Sequence, residues 1–303
     1  MRLLTFYEEN QYRIGISTGA GILHLRKAAE ILHKEYPSTM LEAIGLDEDK
    51  KHQLKKLVSL AVEKSDELPA CFLEESTLQF GPCLPNPGKI ICVGLNYRKH
   101  AEETNAAIPN SPILFSKYHN TIAAHGQRIT LPKESVMVDY EAELAMVIGK
   151  TTQAVSEEDA LTHVFGYCAA NDLSARDLQN KTSQWMLGKT CDGFAPIGPY
   201  LVTADEVEDP NDLQIGSTVN GEVRQNSNTK DMIFSCAYII SYISRFMTLQ
   251  PGDLILTGTP EGVVFGMPPD KRVYLKDGDI VTIEVEKLGL LSNMMVNPMN
   301  EPV

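Results

Sequence analysis

The sequence is short of several things, and each shortage removes a class of function. Its six cysteines (Cys71, Cys83, Cys92, Cys168, Cys191 and Cys236) form no CxxC pair, and several sit inside apolar runs such as "IICVG" and "GYCAAND". This reads as buried, reduced thiols of a cytosolic protein, not as a disulfide framework or a cysteine metal site. No apolar run approaches the ~20 residues needed to span a bilayer. The opening "MRLLTFYEENQYRIGISTG" lacks the basic region, apolar stretch and small-residue cleavage site of an export signal. A cytoplasmic location is expected. Positive charge is scarce: 27 Lys and Arg against 40 Asp and Glu give a net charge of -13. Nucleic acids and anionic membranes are therefore poor partners. An anionic substrate stays possible, because a bound metal can reverse the local field. No GxGxxG occurs, and "GKT" at 188–190 lacks the upstream glycine of a phosphate loop. Internal repeats, low-complexity tracts and regular βαβ alternation are also missing, so a doubly wound parallel sheet is not expected.

What is present suits a soluble globular chain of 303 residues with 43% apolar and 22% charged residues. The first 80 residues have their own texture. Two short strands ("RLLTFY", "RIGIST") precede helical spacing around 24–36 and 51–66. The breaker-rich "GPCLPNPGK" then suggests a boundary between a small N-terminal domain, 1–80, and a larger one, 84–303. Beyond it strands dominate: "IICVGLNY", "ELAMVIGK", "HVFGYCAAND", "GPYLVT", "DLILTGTP" and "DIVTIEVEKLG". "STVNGEVRQ" carries the Asn220-Gly221 hairpin signal. One helix is expected at about 231–247, and the tail "NMMVNPMNEPV" reads as irregular. The fold class is therefore α+β and β-rich.

"VDYEAELAMVIGK" places Asp139, Glu141 and Glu143 at alternate positions, on one face of a strand. Like charges side by side are costly to bury unless a cation neutralises them. Glu141 and Glu143 lie ~6.5–7 Å apart along a strand, close enough to converge on one oxygen-seeking ion, Mg²⁺ or Mn²⁺. Asp172, where an apolar strand ends in "CAANDLSARDLQ", is the candidate third ligand. By itself the Glu-x-Glu spacing also describes a solvated strand face. In "NYRKHAEE", His100 and Glu103 are three apart. On a helix they touch, and a carboxylate beside a histidine suits a general base; the same pair also occurs as a surface ion pair.

Taken in order, "IICVGLNYRKHAEE", "PILFSK", "DYEAELAMVIGK", "VFGYCAANDLSARDLQ", "GKTCDGFAPIGP", "VNGEVRQ", "DMIFS", "PGDLILTGTPEGV" and "GLLSN" make the chain resemble the fumarylacetoacetate hydrolase family over roughly 84–293. The resemblance implies a mixed β-roll catalytic domain behind a small N-terminal α/β domain, usually as a homodimer. It implies one Mg²⁺ or Mn²⁺ held by Glu141, Glu143 and Asp172. It implies His100, Glu103 and Lys189 as catalytic groups, and Arg176, Gln179 and Thr259 as substrate-binding groups. Residues 97–112 would form a cover over the site.

The reaction class implied is C–C bond cleavage in small 2-oxo acids, by oxaloacetate decarboxylation or acylpyruvate hydrolysis. Decarboxylation or isomerisation in aromatic catabolism is the alternative, and a non-catalytic metal-stabilised scaffold a further one. The fumarylacetoacetases themselves carry an acid seven residues before the histidine. Here that position is Val93, which points to the acylpyruvase and oxaloacetate decarboxylase branch. Tyr118 follows Lys117 where relatives more often have Pro or Ser, a change expected at the pocket rim.

Overall fold

"AELAMVI" is buried at every position as the strand Ala142–Ile148. A strand reads this way only where both faces of its sheet are covered. The computed structural model, which describes residues 1–297, puts this strand near the middle of an eleven-stranded mixed sheet. Its neighbours are Val164–Asn171 and Leu254–Leu256. Beyond Leu254–Leu256 the sheet continues through Ile90–Gly94 and ends at the edge strand Ile113–Lys117. In the other direction it passes Ala195–Thr203 and then takes in Arg2–Glu8, Gln11–Thr18, Gly21–His24 and Phe72–Leu73. Arg2 pairs directly with Val202. Residues on either side of the 81–89 breaker cluster thus share one sheet, which stays open and does not close into a barrel.

The two faces are buried by different material. One face presents Ala145, Val147, Cys168 and Ala170 to the N-terminal helices, which contribute Ala28, Met40, Ile44, Leu54, Leu57 and Ala61. The other packs Leu144, Met146 and Ala169 against the helix Cys236–Ser244 and a five-stranded second sheet. The hairpin in that second sheet turns at Asn220 and Gly221, with φ of 52° and 81°. These left-handed values are what a two-residue turn requires. Among the described residues no helix is long and apolar enough to cross a membrane, and the six cysteines are free.

Four expectations are corrected. The N-terminal segment has a third strand, Gly21–His24, so its first helix begins at Leu25 with His24 as N-cap. The second begins at Glu48, where Asp47 accepts from Lys50 N, and a short helix, Met40–Ile44, lies between them. The helix expected from 231 starts at Cys236. Ser235 caps it, and Phe234 N is held by Asn96 Oδ1 (2.8 Å), which keeps the preceding backbone out of the helix. The tail is a strand through Val296, Gly289–Val296, because Leu291, Asn293 and Met295 alternate into the core; residues 298–303 lie outside the described residues.

Candidate functional site

Strand register builds the site. Ala142 pairs with Asn171, so Glu141 and Asp172 meet where the two strands end, and Glu143 lies one pleat further in. The backbone ties this corner together: Asp172 N donates to Glu141 O (3.0 Å) and Glu141 N donates to Asn171 Oδ1 (3.0 Å). The three carboxylates are buried and each offers an oxygen within 4.8 Å of the others. Asp139, expected on the same face, is not with them. The pairing strand stops at Asp139 and resumes at Ala142, which breaks the two-residue period. Asp139 accepts instead from Arg176 Nε, Val264 N and Phe265 N, each at 2.9 Å.

Three buried cations surround the acids. Lys189 Nζ donates to Glu141 Oε2 (2.7 Å) and Asp172 Oδ2 (2.9 Å). Arg176 Nη2 pairs with Glu141 Oε1 at 2.8 Å. Burial opposes the charge on Glu141, but Lys189 and Arg176 outweigh it and hold its carboxyl well below the usual range. Burial likewise opposes the charge on Lys189, and Asp172 with Glu141 pushes its ammonium up regardless. Glu143 differs. Among the described residues no cation pairs with it, and burial together with Asp172 and Glu141 pushes it well above the usual carboxyl range.

The third cation is Lys117, which sequence reasoning left unassigned. Its Nζ donates to the carbonyls of Leu173 (3.1 Å), Lys189 (2.6 Å) and Phe194 (2.8 Å). It also stands 2.7 Å from Asp172 Oδ1. With its three N–H groups taken by carbonyls, it leaves Asp172 Oδ1 a buried acceptor without a hydrogen bond. An orphan carboxylate oxygen, a second carboxylate with no cation, and an all-oxygen donor set together fit a small hard divalent ion. This buried acid triad can hold such a metal ion.

The helix Arg98–Glu103 covers the acids. Its approach is fixed by Asn96, whose side chain donates to Thr257 O (2.7 Å) and Phe234 O (3.1 Å). Gly258 allows this contact: a Cβ there would lie 2.7 Å from Asn96 Cβ, and its φ is +100°. Gly258 N in turn donates to Glu143 Oε2 at 2.8 Å. His100 is buried, with Nδ1 2.8 Å from Glu103 Oε1. The other oxygen of Glu103 accepts from Gly262 N (2.9 Å), which ties the cover to the loop after Thr259.

A cavity of about 190 Å³ is lined by His100, Glu141, Glu143, Asp172, Arg176, Gln179, Lys189 and Thr259. Glu103 stands behind His100. The predicted residues are thus brought together. The three predicted substrate-binding residues are already engaged within the protein: Arg176 with Asp139 and Glu141, Gln179 Oε1 accepting from Arg176 Nη1 (3.1 Å), and Thr259 Oγ1 accepting from Gln225 Nε2 (2.8 Å). Val93 is in the lining, so no fourth acid stands there. Tyr118 is half exposed and outside the cavity, with its OH on Met186 Sδ.

Comparison with known proteins fits this geometry. Residues 89–296 match the family described as fumarylacetoacetate (FAA) hydrolase C-terminal. The chain belongs to the fumarylacetoacetate hydrolase family. It is 43% identical over 281 residues to the protein named oxaloacetate tautomerase FAHD2A, mitochondrial, of Bos taurus, covering 92% of this chain and 85% of the relative. Among solved structures, the fumarylacetoacetate hydrolase of Exiguobacterium antarcticum shares 32% identity at a TM-score of 0.78, over 98% of this chain and 99% of that one. The maleylpyruvate hydrolase of Sphingobium sp. SYK-6, solved with manganese(II) and pyruvate, shares 30% identity at a TM-score of 0.77, over 98% and 99%. By name these three are enzymes: an oxaloacetate tautomerase, a fumarylacetoacetate hydrolase and a maleylpyruvate hydrolase.

Proposed function

We propose that this protein catalyses proton transfer at C3 of a small 2-oxo acid, with oxaloacetate keto–enol tautomerisation as the reaction it serves best. The observation that carries this reading is that His100, backed by Glu103 at 2.8 Å, faces the same cavity as the acid triad. Glu141, Glu143 and Asp172 would hold Mg²⁺ or Mn²⁺, which when bound supplies Lewis-acid polarisation of the substrate's carboxylate and 2-oxo oxygens.

With Nδ1–H donated to Glu103, the neutral imidazole keeps Nε2 as the basic nitrogen. Nε2 takes a proton from C3 of the keto form, the C–H pair becomes the C2–C3 double bond, the C2=O π pair moves onto the 2-oxo oxygen, and the imidazolium passes its Nε2 proton to that oxygen to give the enol. The reverse step returns the proton to C3. Lys189 has given two N–H groups to Glu141 and Asp172; the third serves the oxygen on which charge develops. Burial of these groups excludes water and strengthens each interaction. The bovine relative's name supports oxaloacetate as substrate.

A second reading is C–C cleavage, by decarboxylation of oxaloacetate or by hydrolysis of an acylpyruvate with His100 activating water. The Sphingobium neighbour, a hydrolase holding pyruvate, favours it. A cytoplasmic homodimer is part of the proposal; the mitochondrial relative sets the alternative compartment, and fractionation with sedimentation separates these.

The test follows enol-oxaloacetate by its ultraviolet absorbance with Mn²⁺, alongside CO₂ release and acetylpyruvate loss. Native protein accelerates ketonisation, and His100→Ala loses roughly 10²–10⁴-fold of it. Equal rates for the two proteins contradict the assignment. Cleavage without tautomerisation supports the second reading.

A further inference from the structure

The chain contains one tryptophan, and it stands in the wall of the cavity. Trp185 follows the exposed turn at 180–184 and is half-buried. Its ring meets Phe115 edge-on, with centroids 5.3 Å apart and planes at 71°. The far edge of the indole rests on Gly94: a Cβ there would lie 2.6 Å from Cζ3 and 2.9 Å from Cη2. Phe115 is held from inside the site by Lys189, whose Nζ lies 5.0 Å from the ring centroid. Gly94, Phe115 and Trp185 thus make one continuous aromatic wall.

What lies behind that wall gives it meaning. A second, outer groove of about 570 Å³ runs along the edge strand and is lined by Ile91, Leu114, Tyr118, Met186 and Met247. Phe115 and Trp185 line this groove and the inner cavity alike. They are the partition between the inner chamber of about 190 Å³, which holds the charged groups, and an outer groove of about 570 Å³ that carries Ile91, Leu114, Met186 and Met247. The chamber is smaller than the ~300–1,000 Å³ of pockets for drug-sized ligands.

We infer that Trp185 is the length gauge of the site. It confines bound 2-oxo acids to the short class, and its removal opens the chamber into the outer groove, where an alkyl tail finds apolar walls. This inference rests on the 2-oxo acid reading and specifies the substrate size within it. The indole acts on what lies beyond the reacting carbons, so it is a specificity determinant and takes no part in proton transfer.

The test uses N-alkyl oxamates, inert mimics of 2-oxo acids, from N-methyl to N-hexyl, in the presence of Mn²⁺. Calorimetry measures affinity for the native chain, Trp185→Leu and Trp185→Ala. Because the protein has one indole, its fluorescence also reports occupancy of the native site. Native affinity is expected to fall at least ~10-fold once the tail reaches the wall, the scale on which pockets discriminate a methylene. Trp185→Ala is expected to bind N-hexyl oxamate at least ~10-fold more tightly than native protein, with Trp185→Leu between them. A native length profile retained by either folded variant overturns the inference while leaving the functional reading intact. Absence of oxamate binding at every length by native protein overturns the functional reading, and the gauge with it.

Discussion

The acid cradle and the helix that covers it are held in opposite ways. Glu141, Glu143 and Asp172 sit at the ends of central strands whose residues are buried on both faces, and three buried cations pair with Glu141 and Asp172. The cover, Arg98–Glu103, is tied at one end by Asn96 and at the other by Glu103 on Gly262 N. A further polar tether is Lys99, 61% exposed, at 3.5 Å from Glu261 and 3.8 Å from Asp231. The cradle has the rigidity that charge stabilisation requires. In the proposed mechanism it is the cover that releases to admit substrate. Binding and proton transfer are thereby assigned to separate parts of the molecule, and substitutions should separate them.

The largest effect is expected in the cradle. Asp172→Asn should lower turnover by on the order of 10³-fold or more, several kcal/mol of lost charge stabilisation, and chelation of metal from native protein should do the same. In the cover, His100→Ala should cost roughly 10²–10⁴-fold in the tautomerase assay with Mn²⁺ affinity unchanged by calorimetry; a joint loss of the two would mean that cover and cradle act as one unit. Lys117→Met tests the support behind the cradle. It leaves three buried carbonyls without a donor, so thermal unfolding should show a loss of about 3–5 kcal/mol. Metal affinity should fall ~10–100-fold.

Lys99→Ala should change rates less than ~3-fold, because exposed ion pairs contribute about 0–1 kcal/mol; a larger effect would mean the cover is held more tightly than its contacts suggest. A control lies outside both regions. Glu8 is held down to about 2 by hydrogen bonds from His24 and Lys27. A carboxyl lowered in the folded state adds stability above its ordinary 4.5, and that stability is lost as pH falls toward 2. Glu8→Gln should therefore lower the melting temperature at pH 7, with the difference closing near pH 2 and no change in turnover.

Much of this was legible in the sequence for physical reasons. The continuous apolar run at 142–148 marks a doubly covered strand, Asn220-Gly221 marks a turn, and acids in greasy strands mark a cation. His100 and Glu103 are related by helix geometry alone. What escaped depends on tertiary context. Asp139 obeys the strand period on paper, but the pairing breaks at Tyr140, and its carboxylate goes to Arg176. Lys117 looks like any surface lysine until three carbonyls from distant segments converge on it. Ser235 starts its helix five residues late because Asn96, 138 positions away, holds Phe234. Trp185 gains significance only from two cavities that no spacing reveals.

The most direct measurement is a Mn²⁺ titration followed by electron paramagnetic resonance, on native protein and on Glu143→Gln. One tight site per native chain is expected, displaced by Mg²⁺ and absent from the variant. A native chain that leaves all its Mn²⁺ free, or a variant that binds it equally well, contradicts the claim that these three carboxylates form a metal centre.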